Sequence, residues 1–130
     1  MSNNDEFNTL NVSTLSKTWI MDIDGTIVKH NGYKIDGKDT LLSGAKEFFQ
    51  NLSDEDNIIF VTSRSEKYKE VTEEFLDSQG IRFNQIIYDV PYGERILIND
   101  KKPSGLLTAH AINTLRDKFC ETKFIVNRDL

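Results

Sequence analysis

The stretch WIMDIDGTIV, from Trp19 to Val28, begins as an apolar run suited to a buried strand and then carries two acids, Asp22 and Asp24, one residue apart and directly before Gly25. Residues two apart on a strand point to one face, so the two carboxylates converge if the strand end stays extended. Two carboxylates that close repel, and one is driven to protonate unless a cation lies between them. Such a pair at a strand end followed by glycine marks a site, and what surrounds it sets the fold.

Outward from this run, the chain alternates short apolar segments with amphipathic ones. TWIMDI (18–23), NIIFVT (57–62), QIIYDV (85–90), RILIN (95–99) and KFIVN (123–127) are rich in strand formers. SGAKEFFQNL (43–52) sets Ala45, Phe48, Phe49 and Leu52 on one helical side, and SEKYKEVTEEFLDSQG (65–80) does so with Tyr68, Val71, Phe75 and Leu76. Ser65 is placed to cap the second helix and Gly80 to end it, and SGLLTAHAINTLRDKF (104–119) predicts a third helix after Pro103. Apolar strands separated by helices predict a compact, doubly wound three-layer α/β sandwich with a mainly parallel five-stranded sheet.

The polar stretch 1–16 reads as a loosely held N-terminal arm, and 17–130 as a single domain. At 130 residues one core is expected, and the 38% hydrophobic and 28% charged composition is that of a globular chain. A net charge of -5 gives no attraction to a nucleic-acid backbone or an anionic membrane, so neither partner is expected. The lone Cys120 excludes an internal disulfide, and no apolar run is long enough to span a bilayer. With no basic and apolar leader at the start, the expected setting is the cytoplasm.

In open parallel sheets the ligand crevice lies beyond the carboxyl ends of the strands. At those ends stand Asp22, Asp24, Gly25 and Thr26; then Thr62, Ser63 and Arg64; then Asn99, Asp100, Lys101 and Lys102. Carboxylates in this number suit Mg2+, which prefers oxygen ligands and keeps positions for water and phosphate. Gly25 permits close backbone approach, and Thr62 has a hydroxyl and an amide for an anion. One carboxylate of the pair can attack a phosphoryl group while its neighbour manages protons.

DIDGTIV resembles the first motif of the haloacid dehalogenase (HAD) superfamily, Asp-x-Asp-Gly-Thr after a hydrophobic strand. IIFVTSR resembles the second motif, and ILINDKKP the fourth, so the resemblance spans Trp19 to Pro103. It implies a nucleophile at Asp22, a general acid/base at Asp24 and a phosphate ligand at Thr62. It also implies Mg2+ held by the Asp22 side chain, the Asp24 main-chain carbonyl and Asp100, with the Asp22 strand central in the sheet. The fourth motif reads Asn99-Asp100 instead of carrying two acids. Asp100 is favoured as the inner ligand over Asn99 because a carboxylate better neutralises the ion.

For the third-motif base Arg95 ranks first, able to clamp phosphate bidentately, and Lys102 second, with Lys101 and Lys67 also open. Gly25, Thr26, Ser63 and Arg64 complete the expected phosphate-binding set. For Arg64 that role is weighed evenly against a structural one at the helix start. The segment from Ile27 to Asp39 has room only for a short β flap, which implies a capless member. Tyr33 then either lines the leaving-group pocket or braces the flap, and a second subunit is one way to close the open site. The expected activity is a phosphomonoesterase acting through an aspartyl-phosphate on a small phosphorylated metabolite, such as a sugar or polyol phosphate. Two other readings are a HAD-fold binding or regulatory module with weak catalysis, and a receiver-type phosphoacceptor domain. The receiver reading is disfavoured because its accepted phosphate sits on a later strand.

Overall fold

The structure, a computed structural model, describes residues 9–130; positions 1–8 of the expected arm lie outside the described residues. Two compact units make up the chain. The larger comprises 16–92 and 114–120, and the smaller comprises, of the described residues, 9–15, 93–113 and 121–130. The fold is α/β with parallel strands.

In the larger unit three strands form one parallel sheet: β2 (Thr18–Met21), β3 (Asn57–Val61) and β4 (Gln85–Ile87), in the order β2-β3-β4. Met21 lies opposite Phe60, and Val61 opposite Ile87, so all three strands end at one edge. The central strand β3 buries Ile58 and Phe60 completely. These pack with Ile23, Ile27, Val28, Ala45, Phe49, Leu76 and Ile81 in one core. Asn84 extends the pairing of β3 at its start, since its side-chain oxygen accepts from the Ile58 amide at 2.7 Å and its own amide donates to the Ile58 carbonyl at 2.8 Å.

Helix α1 (Gly32–Ile35) is a single turn, whereas α2 (Ala45–Gln50) and α3 (Lys69–Ser78) cover the sheet. Helix α2 buries the expected side, with Ala45 and Phe49 in the core and Phe48 and Leu52 packed against it. Helix α3 follows a 3-10 turn (Glu66–Tyr68) whose cap is Ser65, accepting from the Lys67 amide at 3.3 Å. The helix ends at Gly80 with φ of 73°. The Ile81 amide reaches back to the Leu76 carbonyl and the Gly80 amide to that of Asp77, the Schellman arrangement, with Leu76 and Ile81 both buried.

Several expectations are corrected. The five strands do not share one sheet: β1 (Thr9–Val12) and β5 (Lys123–Val126) form a separate parallel pair in the smaller unit, so positions 9–12 are a strand rather than a loose arm. RILIN at 95–99 is no strand; Ile96, Leu97 and Ile98 are all exposed, so no neighbour supplies the pairing and burial a strand needs. The central strand is β3, not the Asp22 strand β2, which is an edge of its sheet.

The expected helix at 104–119 is also absent. Pro103-Ser104-Gly105 instead form a tight reversal, in which the Gly105 amide donates to the Lys102 carbonyl and the Lys102 amide to that of Leu106. Gly105, at φ of 98°, takes the left-handed position that such three-residue loops require. Cross-chain bonds from Asn99 to Thr108, and from the Thr108 hydroxyl to the Asp100 carbonyl, lock the reversal and leave no helical ladder.

The segment expected to be a β flap keeps β-like closure only at its base, where Val28 bridges Leu41 and the Lys29 amide donates to the Thr40 carbonyl at 3.0 Å. Its tip is α1, entered through Asn31 at φ of 55°.

Candidate active site

Parallel strands that end together bring their following residues to one edge, which is how Asp22, Asp24, Thr62, Ser63 and Arg64 come to lie in one unit. After Met21 the chain does not continue as a strand. It closes a tight loop in which the amides of Thr26, Ile27 and Val28 all donate to the Ile23 carbonyl, and that of Gly25 to the Val28 carbonyl. Gly25 makes this loop possible: its φ is 81°, and a side chain there would meet Arg116 at 3.2 Å. The segment after Thr114 closes over the loop from outside. The Asp117 amide donates to the Gly25 carbonyl at 2.8 Å, and its carboxylate accepts from the His30 amide at 2.7 Å.

Asp22 accepts from the Thr26 hydroxyl at 3.2 Å and is half-buried. Asp24 is held differently. Its Oδ1 accepts from Arg64 Nη2 at 2.8 Å, and its Oδ2 from Arg64 Nε at 3.3 Å. The adjacent edge of the same guanidinium faces Asp39, with Nη1 to Oδ2 at 3.0 Å and Nη2 to Oδ1 at 2.9 Å. Arg64 Nη1 also donates to the Thr72 hydroxyl of α3 at 2.9 Å. A guanidinium has five N–H groups, and all of them are used. Tyr33 lies over its flat face, 3.8 Å from ring centre to Cζ, and Tyr33 in turn meets Tyr68 edge-on at 4.8 Å.

The electrostatics follow from burial. The Arg64 side chain is 0% exposed, that of Asp39 2% and that of Asp24 14%. Burial alone would lower the proton affinity of the guanidinium, but the hydrogen bonds and charges of Asp39 and Asp24 overturn this and hold it above the ordinary arginine value. The Tyr33 phenol is pushed up, first by burial and then by the Asp24 carboxylate. Beside β4 the Tyr88 phenol is raised as well, by burial and then by Glu73, which accepts its hydroxyl at 3.2 Å.

Arg64 was expected among the phosphate ligands, and here it is a clamp instead: with every donor committed, it has none to present to an anion. Tyr33 lies against that clamp. The other expected donors also face inward. The Thr62 amide donates to the Ile87 carbonyl, its hydroxyl accepts from the Arg64 amide at 3.0 Å, and the residue is 1% exposed. The amides of Gly25 and Thr26 are spent in the loop, and the Ser63 hydroxyl donates to the Pro91 carbonyl at 3.3 Å. Arg95, Asp100 and Lys102 are exposed and belong to the smaller unit.

Asp39, Thr72 and Tyr33 as partners of Arg64 were not found from sequence. The available signal was chemical: an arginine directly after a buried strand needs a carboxylate partner, and spacing does not say which. Among the described residues no three His, Cys, Asp or Glu side chains gather closely enough to hold a metal ion. The donor set at this edge, the Asp22 carboxylate with the neighbouring Asp24 carbonyl, is nonetheless the all-oxygen kind that suits Mg2+, which takes only one or two protein carboxylates.

No protein-family model matches the chain, and no curated protein sequence matches it. Solved structures do: a chain of the Pnkp1/Rnl/Hen1 RNA repair complex aligns with a TM-score of 0.50 at 23% identity, covering 65% of this chain and 29% of that one. A chain from another structure of the Pnkp1/Rnl/Hen1 complex aligns with the same TM-score and identity over 65% of this chain and 32% of its own length. The protein thus spans about a third of the chains it matches. Likeness of this degree establishes a shared α/β fold.

Proposed function

We propose that this protein is a Mg2+-dependent phosphomonoesterase of the HAD type, acting through an aspartyl-phosphate on a small phosphorylated metabolite. The observation that carries the reading is the Asp22–Asp24 pair at the end of β2, beside the end of β3, with Asp24 held by the Arg64 guanidinium and Asp22 accepting from the Thr26 hydroxyl. The two acids therefore stand in different surroundings, as two different roles require.

In the first step an Asp22 carboxylate oxygen attacks phosphorus, the bond from phosphorus to the leaving oxygen breaks, and that oxygen takes a proton from the Asp24 carboxyl. In the second, Asp24 takes a proton from water as the water oxygen attacks phosphorus, and the bond to Asp22 breaks to release phosphate. The Asp22 carboxylate and the Asp24 main-chain carbonyl would hold Mg2+, which supplies charge neutralisation at the phosphoryl group when bound. The lone Cys120 accords with a reducing, cytoplasmic setting. Among the described residues no helix is long and apolar enough to cross a membrane.

The occupation of both Asp24 oxygens by Arg64 favours a second reading, a module that keeps the fold for binding or regulation with little turnover. One experiment separates the two. Phosphate release is measured over a panel of phosphorylated metabolites and an aryl phosphate, with Mg2+ and after chelation. The phosphatase reading expects Mg2+-dependent turnover that Asp22→Asn reduces at least about a hundredfold. No turnover on any substrate, with the protein folded, selects the binding module.

A further inference from the structure

We infer that Arg64 is a positioning residue for Asp24, and that Asp39 and Thr72 fix Arg64 for that purpose; the inference rests on the phosphatase reading. Apart from the Asp24 carboxylate that it holds, Arg64 touches none of the groups that react in the proposed steps. It is built as an orienting device. One edge of its guanidinium takes Asp24 and the other takes Asp39, with Nη2 shared between them at 2.8 and 2.9 Å. The Thr72 hydroxyl on α3 fills the last donor position, and Tyr33 closes the face. Parts of the chain on both sides of β3 thus converge on one side chain that has no freedom left.

The geometry is asymmetric at Asp24. Oδ1 is held at 2.8 Å, while Oδ2 meets Nε at only 3.3 Å. The shorter, charge-assisted bond anchors Oδ1, and the longer one leaves Oδ2 as the oxygen directed to act. Asp39 has a distinct part. By occupying the second edge it prevents the guanidinium from turning, and its negative charge shares that of Arg64, so that Asp24 is oriented without the whole cation being directed at it. A lysine cannot reproduce this, because an ammonium is a point charge without a planar fork to bridge two carboxylates.

The test uses the full chain with Mg2+ and two substrates, an alkyl phosphate with a poor leaving group and an activated aryl phosphate. Displacing a catalytic group by about 1 Å costs about a hundredfold. Arg64→Lys is therefore expected to lower kcat on the alkyl phosphate about thirty- to hundredfold, and on the aryl phosphate by less than about fivefold, with KM within about twofold on both. Asp39→Asn should show the same leaving-group bias with a smaller loss, and serves as the second variant if Arg64→Lys does not fold. In an Asp24→Asn background, Arg64→Lys or Asp39→Asn should then cost little more, since each acts through the group already removed. Equal losses on the two substrates, or losses that add to that of Asp24→Asn, would overturn the inference while leaving the phosphatase reading in place. An inactive wild type on both substrates would overturn that reading and this inference together.

Discussion

Arg64→Met keeps much of the arginine stem and deletes all five N–H groups, which makes it the sharpest probe of the buried clamp. Two carboxylates lose their partner, but not equally. The Asp39 side chain is 2% exposed and receives two of its bonds from Arg64, so it is left as a buried charge without its counter-ion. Breaking a buried pair in this way costs about 3–5 kcal/mol. Loss of the donor to the Thr72 hydroxyl adds about 1 kcal/mol at most. Asp24, at 14% exposure, can recruit water and contributes less. The expected destabilisation is therefore about 4 kcal/mol, which at a urea slope of about 2 kcal/mol/M moves the unfolding midpoint down by about 2 M. Adding Asp39→Leu removes the stranded charge and should restore at least about 2 kcal/mol, because apolar replacement of a whole buried pair is close to neutral. Equilibrium urea unfolding followed by Trp19 fluorescence reads both. A cost below about 1 kcal/mol for Arg64→Met, or a double variant no more stable than the single one, would refute the claim that the clamp is a buried, mutually dependent ion network.

Two further outcomes rest on other parts of the larger unit. The Tyr88 phenol is raised in the fold by burial and by Glu73, so the native state retains its proton more tightly than the unfolded chain does. That contribution is complete below the ordinary tyrosine value of about 10 and is lost as pH rises above it; Tyr88→Phe should flatten the alkaline fall in thermal midpoint, and an unchanged slope between about pH 10 and 12 would contradict the assignment. At the end of α3, Gly80→Ala meets no atom within 4 Å but must adopt φ of 73°, so it should cost about 1 kcal/mol by urea unfolding without affecting phosphate release, whereas a neutral result would mean that the Schellman end is not held in the left-handed conformation.

What could be read from sequence was local. Ser65 as a cap, Gly80 as a helix end, and the buried side of α2 all follow from residues within a turn or two of one another, and the structure has them as expected. NIIFVT gave β3, which is paired on both sides and buries Ile58 and Phe60 in the core. RILIN is likewise mostly apolar and forms no strand, since strand character depends on a partner that the run itself does not specify. Helix α3 shows the difference within one element: periodicity selected Val71, yet Thr72 is buried and Val71 is exposed, because the Thr72 hydroxyl answers a donor eight residues earlier in the chain. At the candidate site the types of the acids were visible and their company was not. Nothing in the spacing of Asp24, Asp39 and Arg64 reveals that one guanidinium lies between two carboxylates drawn from different turns of the chain.

The pairing of Thr9 with Lys123 in the smaller sheet has a consequence for the order of folding. Because β1 and β5 lie near opposite ends of the described chain, closing them encloses nearly all of it, whereas Thr18 meets Asn57 across a much shorter loop. Loop-closure entropy grows only with the logarithm of length, so the extra equilibrium cost is about 1 kcal/mol. The kinetic effect is larger, since distant contacts form slowly. During synthesis Thr9–Val12 emerges before Lys123–Val126, the strand it pairs with. Throughout that interval it is an unpaired strand edge, the part of a nascent chain most open to association with other chains. The ribosome, by delivering β5 more than a hundred residues after β1, sets the time at which that exposure ends.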